Sequence, residues 1–262
     1  MKWTIRKFRE TKGKQALGCT TAYDFITARM ADAAGVPLIL VGDSLATTSL
    51  GHPTTIPATM DIMVHHAEAV CRAVESAIVV GDLPFLTYIN EEDALRNAGR
   101  FLQESGCDAV KLEGGATQAK IIRRLVDEGI PVMAHIGLLP QSVKATGYAV
   151  RGRKDEDVDR LRADLDAVTE AGAFSVVLEC VVPEVAEELT ARTPIPTISV
   201  GSSPKCDAQF LVLADLLGMM PGPGPKFAKA YAHFYDEGVA AIAKYVQEVA
   251  DRAFPDAEHL YK

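Results

Sequence analysis

Short apolar, β-branched runs alternate along the chain with longer stretches of helical spacing, and each run ends at Gly, Pro, Asp or Ser, residues that stop strands. Eight runs read as strands: Leu17–Thr21, Leu38–Gly42, Ala77–Gly81, Ala109–Leu112, Val132–His135, Ser175–Leu178, Thr197–Val200 and Phe210–Leu213. Most are apolar on both faces, which implies a parallel sheet buried on both sides. Between them, Thr117–Glu128 predicts a helix with a Thr cap, an apolar face of Ile121, Ile122, Leu125 and Val126, and Gly129 and Pro131 as stop signals. Thr59–Val74 predicts another, with Met63, Ala67, Val70 and Val74 on one face. Its adjacent His65 and His66 then point to different faces, in no metal-binding pattern, and read as packing or surface residues.

Eight β-then-α units over a chain of this length fit a (β/α)8 barrel better than an open doubly wound sheet. The expectation is a single barrel domain over residues 1–262. The basic start MKWTIRKFRETKGK reads as a charged first helix beginning near Thr4 rather than as a targeting presequence. Near the other end, Val239, Ile242, Val246 and Val249 mark an extra helix that stops before Pro255, of the kind that caps a barrel or packs on a neighbouring subunit. The run Pro221-Gly-Pro-Gly-Pro225-Lys226 reads as a rigid turn leading into a helix.

Composition narrows the partners. At 262 residues and 48% hydrophobic content the chain buries a sizeable core. A net charge of −8 argues against nucleic acid, because phosphate backbones are bound by clustered cations. No apolar run approaches the roughly 20 residues needed to span a bilayer, so a cytoplasmic location without a membrane partner is expected. Cys19, Cys71, Cys107, Cys180 and Cys206 are widely spaced, odd in number and free of any C-x-x-C pair, which suggests reduced, mostly core cysteines.

The chemistry is carried by where the polar residues fall. Five strands run into an ionisable group at or just past their C-terminal ends: Asp43 after LILVG, Asp82 after AIVVG, Glu113 after AVKL, His135 after VMA and Glu179 after SVVL. In a barrel all these ends open on one mouth, where barrel enzymes place their active sites. Period-two alternation puts Lys111 and Glu113 on one face of their strand and Val110 and Leu112 on the other, so the charged pair faces the interior. Charges held there are costly unless paired or metal-bound; the competing reading is a structural ion-pair network. Asp43, Asp82 and Glu113 are hard oxygen donors that favour Mg²⁺ over Zn²⁺. Such an ion leaves positions for a chelating 2-oxo acid and stabilises the enolate formed when a base removes the neighbouring proton. Glu179, on a different strand, is the candidate base; Lys111 balances substrate charge, and Ser44 is placed to donate to the substrate carboxylate. No phosphate loop, dinucleotide fingerprint, serine-hydrolase elbow or zincin motif occurs.

At these residues the sequence resembles the ketopantoate hydroxymethyltransferase family. The match runs in order through TAYD (21–24), LVGDS (40–44), GH-x-x-T (51–55), DLPF (82–85), VKLEGG (110–115), HIGLLPQSV (135–143), VLEC (177–180) and PKFAK (225–229). The resemblance implies a (β/α)8 enzyme of the phosphoenolpyruvate mutase/isocitrate lyase type, assembled as a homodecamer, a pentamer of dimers. It would transfer a hydroxymethyl group from 5,10-methylenetetrahydrofolate to 3-methyl-2-oxobutanoate, giving 2-dehydropantoate for pantothenate and coenzyme A. By the same resemblance Asp43 and Asp82 are Mg²⁺ ligands with Glu113 at the metal or acting through its water, Ser44, Asp82 and Lys111 contact substrate, His135 lines the substrate site, and Glu179 is the general base. The chain departs from the family at Gly201-Ser202-Ser203, Asp207-Ala208-Gln209 and Leu139. Replacing glycine adds bulk where backbone would approach a ligand. The alternatives are a Mg²⁺-dependent 2-oxo acid lyase or aldolase of the same type that does not use folate, and a paralogue that binds without catalysing.

Overall fold

The eight apolar runs form eight parallel strands, hydrogen-bonded in chain order from first to last and back to the first, so the sheet closes into a barrel. The structure is a computed structural model and describes residues 2–261. It divides into two compact units, one up to Val212 and one from Leu213 onward.

The first unit begins with α1 (Ile5–Arg9), β1 (Leu17–Thr21), α2 (Phe25–Ala33), β2 (Leu38–Val41), α3 (Leu45–Thr48), α4 (Met60–Ala73), β3 (Ile78–Asp82) and α5 (Glu91–Arg100). It continues through β4 (Ala109–Glu113), α6 (Ala119–Asp127), β5 (Val132–Gly137), α7 (Val143–Thr146), α8 (Asp155–Glu170), β6 (Ser175–Glu179), α9 (Pro183–Arg192), β7 (Thr197–Val200) and β8 (Ala208–Leu211). Caps set several of these boundaries. Thr4 accepts from Lys7 N–H to start α1, and Thr59 accepts from Ile62 N–H to start α4. In α4, Met63, Ala67 and Val70 are buried as the period predicted, while His65 is exposed and His66 Nδ1 meets Tyr23 O at 2.6 Å.

Strand alternation sorts the apolar residues into two layers. Val110, Leu112, Ala134, Val176 and Leu178 pack outward with the helices, whereas Leu38, Ile78, Ala109, Met133, Val177 and Ala208 fill the barrel. Phe8 of α1 joins the inner layer at 0% exposure and meets Phe174 edge-to-face at 6.2 Å, plugging the N-terminal end. Fully burying such a side chain is worth about 1.5–3 kcal/mol.

Local details differ from the pattern read along the chain. The eighth strand is Ala208–Leu211 rather than Phe210–Leu213, because the buried Asp207 carboxylate receives Gly13 N–H (2.8 Å), Thr197 N–H (2.8 Å) and Lys12 Nζ (2.9 Å) and fixes where the strand enters. The seventh unit has no helix: residues 201–207 return to the N-terminal side through turns, with Ser202 and Ser203 N–H both on Ser199 Oγ at 3.2 Å. Thr117 does not cap a helix. It lies in a 3-10 turn (Ala116–Gln118) whose Ala116 N–H is bound instead by Asp164 Oδ1 at 2.8 Å, and α6 starts at Ala119.

The second unit holds α10 (Leu213–Leu216) and α11 (Phe234–Ala250). Residues 217–233 lack regular structure, so the Pro221–Lys226 run is a turn but does not lead directly into a helix. Tyr231 N–H on Leu216 O (2.8 Å) and Phe234 N–H on Leu217 O (3.1 Å) fold this segment back. The stripe Val239, Ile242, Val246 and Val249 lies on α11 as expected and is exposed in this chain. Among the described residues no helix is long and apolar enough to cross a membrane, and all five cysteines are free.

Candidate active site

Asp82, Glu113 and Glu179 are the last residues of β3, β4 and β6, His135 lies within β5, and Asp43 stands just beyond β2. Strand register makes Asp82 the neighbour of Lys111 and Glu113 the neighbour of His135. The barrel thus brings all six ionisable groups to one mouth. Ser44 begins α3 on the same rim, half-buried, its Oγ 2.7 Å from Tyr23 Oη. Gly137 lets the ends of β5 and β6 converge: at φ +99° an added Cβ would sit 2.4 Å from Glu179 O, the acceptor of Leu138 N–H at 2.8 Å. Cys180, directly after Glu179, holds φ +49°, a left-handed value that few non-glycine residues adopt.

Lys111 Nζ donates to Asp82 Oδ1 at 2.7 Å, with both side chains almost wholly buried, and stands 3.9 Å from Glu113 Oε1. Asp82 Oδ2 accepts Asp43 N–H at 3.1 Å. His135 Nε2 lies 3.3 Å from Glu179 Oε2 without the alignment of a hydrogen bond, and His135 Nδ1 lies 3.8 Å from Glu113 Oε1. Glu113 Oε1 and both His135 ring nitrogens are buried without hydrogen-bond partners. Such groups are costly in a finished core and mark a place made for something else.

Burial raises the Asp82 carboxyl above the usual carboxylate range, Lys111 opposing and Asp43 adding to the rise. Glu113 is raised well above that range, again by burial first, against the pull of Lys111 and with Asp43 and Asp82 adding to it. Burial works against the Lys111 charge, but Asp82, Glu113 and Asp43 outweigh it and hold the ammonium protonated. His135 is lowered by burial and by Lys111, which favours the neutral ring.

Three carboxylates against one lysine leave an excess of two negative charges when all are ionised, the charge of one divalent cation. The donors are hard oxygens, and Asp43 Oδ1 carries no hydrogen bond from the described residues while Glu113 Oε1 is orphaned. Among the described residues no three His, Cys, Asp or Glu side chains close around one point. Mg²⁺ does not require that, since it is commonly held by one or two carboxylates and keeps several waters. The residues fit Mg²⁺ in donor type, charge and open valence.

Reading strand ends alone missed the residues that tie these groups together. Gln141, buried in the 3-10 turn after β5, donates from Nε2 to Asp43 Oδ2 (2.9 Å) and Leu83 O (3.0 Å), and from its backbone N–H to Glu113 Oε2 (3.0 Å). Tyr88 Oη donates to Gln141 Oε1 at 2.6 Å. The available signal was a Pro-Gln pair one loop beyond a strand already bearing a polar end. The Ser202 departure is also accounted for: its Oγ donates to Leu178 O at 2.8 Å and accepts Val181 N–H at 3.0 Å, so the hydroxyl staples the segment after β6. Ala208 opens β8 beside Leu17, at the end of the barrel away from the mouth, so its methyl adds no bulk there. A separate cavity of about 710 Å³, lined by Tyr148, Arg151, Arg153, Lys154 and Arg160 among others, includes none of the six ionisable groups.

The closed parallel sheet and this acidic, lysine-bearing mouth define a (β/α)8 barrel with its ionisable groups gathered at the C-terminal ends of the strands. The same barrel is seen in phosphoenolpyruvate phosphomutase from Streptomyces platensis subsp. rosaceus (TM-score 0.64, 17% identity, 99% of this chain and 92% of that one). It is also seen in 2,3-dimethylmalate lyase (TM-score 0.61, 20% identity, 99% and 92%). The chain belongs to the ketopantoate hydroxymethyltransferase family, whose model matches residues 2–257. It is 50% identical over 244 residues to 3-methyl-2-oxobutanoate hydroxymethyltransferase of Moorella thermoacetica, covering 92% of this chain and 91% of that protein. It is 47% identical over 260 residues to the protein of the same name from Pseudothermotoga lettingae, covering 98% of each.

Proposed function

We propose that this chain transfers a hydroxymethyl group from 5,10-methylenetetrahydrofolate to 3-methyl-2-oxobutanoate, giving 2-dehydropantoate, the step that commits carbon to pantothenate and coenzyme A. The observation that carries the reading is the convergence of a buried Asp–Lys–Glu cluster with Glu179 beside a His135 that has no hydrogen bond. Full-length matches to proteins of that name favour the transferase over a folate-independent lyase.

Asp43, Asp82 and Glu113 are the residues that would hold Mg²⁺. When bound, the ion polarises the keto oxygen and offsets the negative charge that develops as the C3 proton leaves. The rest falls to the chain's own side chains. Glu179, the least buried of the cluster's carboxylates at 15% side-chain exposure, takes the C3 proton. His135, kept neutral by burial, lies against Glu179 and orients it. Ser44 Oγ donates to the substrate carboxylate, with Tyr23 setting the hydroxyl's direction. Lys111 stays protonated and balances the acidic surroundings. C3 then bonds to the folate's methylene carbon, the two carbon–nitrogen bonds to the folate break, the water oxygen becomes the new hydroxyl, and the two freed nitrogens take up the C3 proton from Glu179 and one proton from that water.

The reading extends to a homodecamer, to one folding domain over residues 1–262 and to the cytoplasm, the first supported by family resemblance. Proton NMR of 3-methyl-2-oxobutanoate in D₂O, with Mg²⁺ or EDTA and with or without the folate, tests the chemistry. Mg²⁺-dependent loss of the C3 proton, then ketopantoate signals once folate is added, is the expected outcome. Exchange without transfer would sink the folate step, and no exchange under any condition would sink the whole assignment.

A further inference from the structure

Gln141 is bonded by every polar atom of its side chain. Leu83 O can only accept, so the amide nitrogen must face it, and the second N–H of that nitrogen reaches Asp43 Oδ2. On the other side Tyr88 Oη lies 3.4 Å from Glu113 N, accepting its N–H, and directs its own proton to Gln141 Oε1. The amide therefore has one orientation. Gln141 N–H also binds Glu113 Oε2. One residue thus ties the loops after β2 and β3 to the end of β4.

The consequence lies in which oxygens remain. Gln141 occupies Asp43 Oδ2 and Glu113 Oε2, while Asp43 Oδ1 has no hydrogen bond from the described residues and Glu113 Oε1 is buried without one. Asp43 and Glu113 are each left with a single oxygen free of hydrogen bonds from the described residues. Mg²⁺ takes one oxygen per carboxylate in a tight octahedron, whereas Ca²⁺ takes six to eight oxygens and commonly both of one carboxylate.

We propose that Gln141 is the positioning residue that limits Asp43 and Glu113 to one open oxygen each, so that the mouth takes a small octahedral dication in preference to a larger one. This rests on the metal reading given under the proposed function. Gln141→Met keeps the volume and removes every side-chain hydrogen bond, freeing Asp43 Oδ2, while the backbone N–H stays on Glu113 Oε2.

Binding is read by the electron paramagnetic resonance of free Mn²⁺ and by its displacement with Mg²⁺ or Ca²⁺, with circular dichroism as the check on folding. In Gln141→Met, Mg²⁺ affinity falls about 10–100-fold, the usual cost of losing an outer partner of a metal site. Ca²⁺ affinity falls less, so the Ca²⁺-to-Mg²⁺ ratio rises. Tyr88→Phe, which removes the donor to Gln141 Oε1 and the acceptor of Glu113 N–H but leaves the amide itself, shifts the ratio the same way by a smaller factor and serves if Gln141→Met does not fold. An unchanged ratio in a folded variant overturns the proposal. Wild type that binds no Mn²⁺, or binds it no better than Asp43→Asn, overturns the metal reading beneath it.

Discussion

The two ends of the barrel each bury an aspartate, and they treat it in opposite ways. At the N-terminal end Asp207 is surrounded by donors: Lys12 Nζ, Gly13 N–H, and both the N–H and Oγ of Thr197. Those bonds hold its carboxyl below the usual range even though burial pushes the other way. At the mouth, burial wins. Asp82 and Glu113 are raised although Lys111 lies beside them, and one Glu113 oxygen and both His135 nitrogens have no partner. A buried charge is therefore not by itself a functional sign. The sign is a buried charge whose bonding is left unfinished, because a fold gains nothing by leaving it so.

The sharpest way to break this contrast is at the mouth. Glu179→Gln is expected to lower kcat by about 10²–10⁴-fold, the usual worth of a general base, with Mn²⁺ affinity nearly unchanged. Asp82→Ala should instead weaken metal binding and turnover together. Stopped-flow rates beside Mn²⁺ titration separate the two, and unchanged turnover in Glu179→Gln would remove the base assignment.

The N-terminal end should respond in stability alone. Phe8→Ala empties the plug beneath the barrel and is expected to cost about 3–5 kcal/mol of unfolding free energy, measured by urea denaturation, while folded enzyme keeps its kcat. Next in size is Asp207→Asn, at about 1.5–3 kcal/mol for lost bonds to a charged acceptor. Its pH signature is distinctive. The folded carboxyl titrates below its unfolded value, so its contribution is present above about pH 4 and is lost as pH falls through the depressed folded value. Wild type should therefore lose stability on acidification by an amount that Asp207→Asn does not show. The smallest effect is at Ser202→Gly, which removes two hydrogen bonds and should cost roughly 1 kcal/mol with KM for the 2-oxo acid unchanged. A change in KM there would mean that the serine acts on the substrate rather than on the loop.

Strand existence and most strand starts followed from runs such as Leu17–Thr21 and Thr197–Val200, which match the structure end to end, because a strand apolar on both faces has few other places to go. The α4 cap at Thr59 was equally local. Thr117 misled because the chain is already turning there: Asp164, forty-eight residues from Ala116, binds the first N–H of the 3-10 turn that contains Thr117, and α6 starts only at Ala119. The eighth strand slipped because Asp207 bonds to Lys12, Gly13 and Thr197, contacts that no local pattern records.

By itself the sequence determined the eight strands and their alternation with helices in every unit but the seventh, hence the closed barrel, and the placing of Asp43, Asp82, Glu113, His135 and Glu179 at strand ends that must share one mouth. Both depend only on period and on the common direction of parallel strands. Tertiary structure alone decided which of their oxygens are occupied. Gln141 lies far along the chain from Asp43 and Leu83, and only the closure of the barrel brings its amide between them. The ion pair of Asp82 with Lys111, the orphaned Glu113 Oε1 and the neutral His135 follow from register and burial, which a residue acquires only from neighbours that the fold supplies.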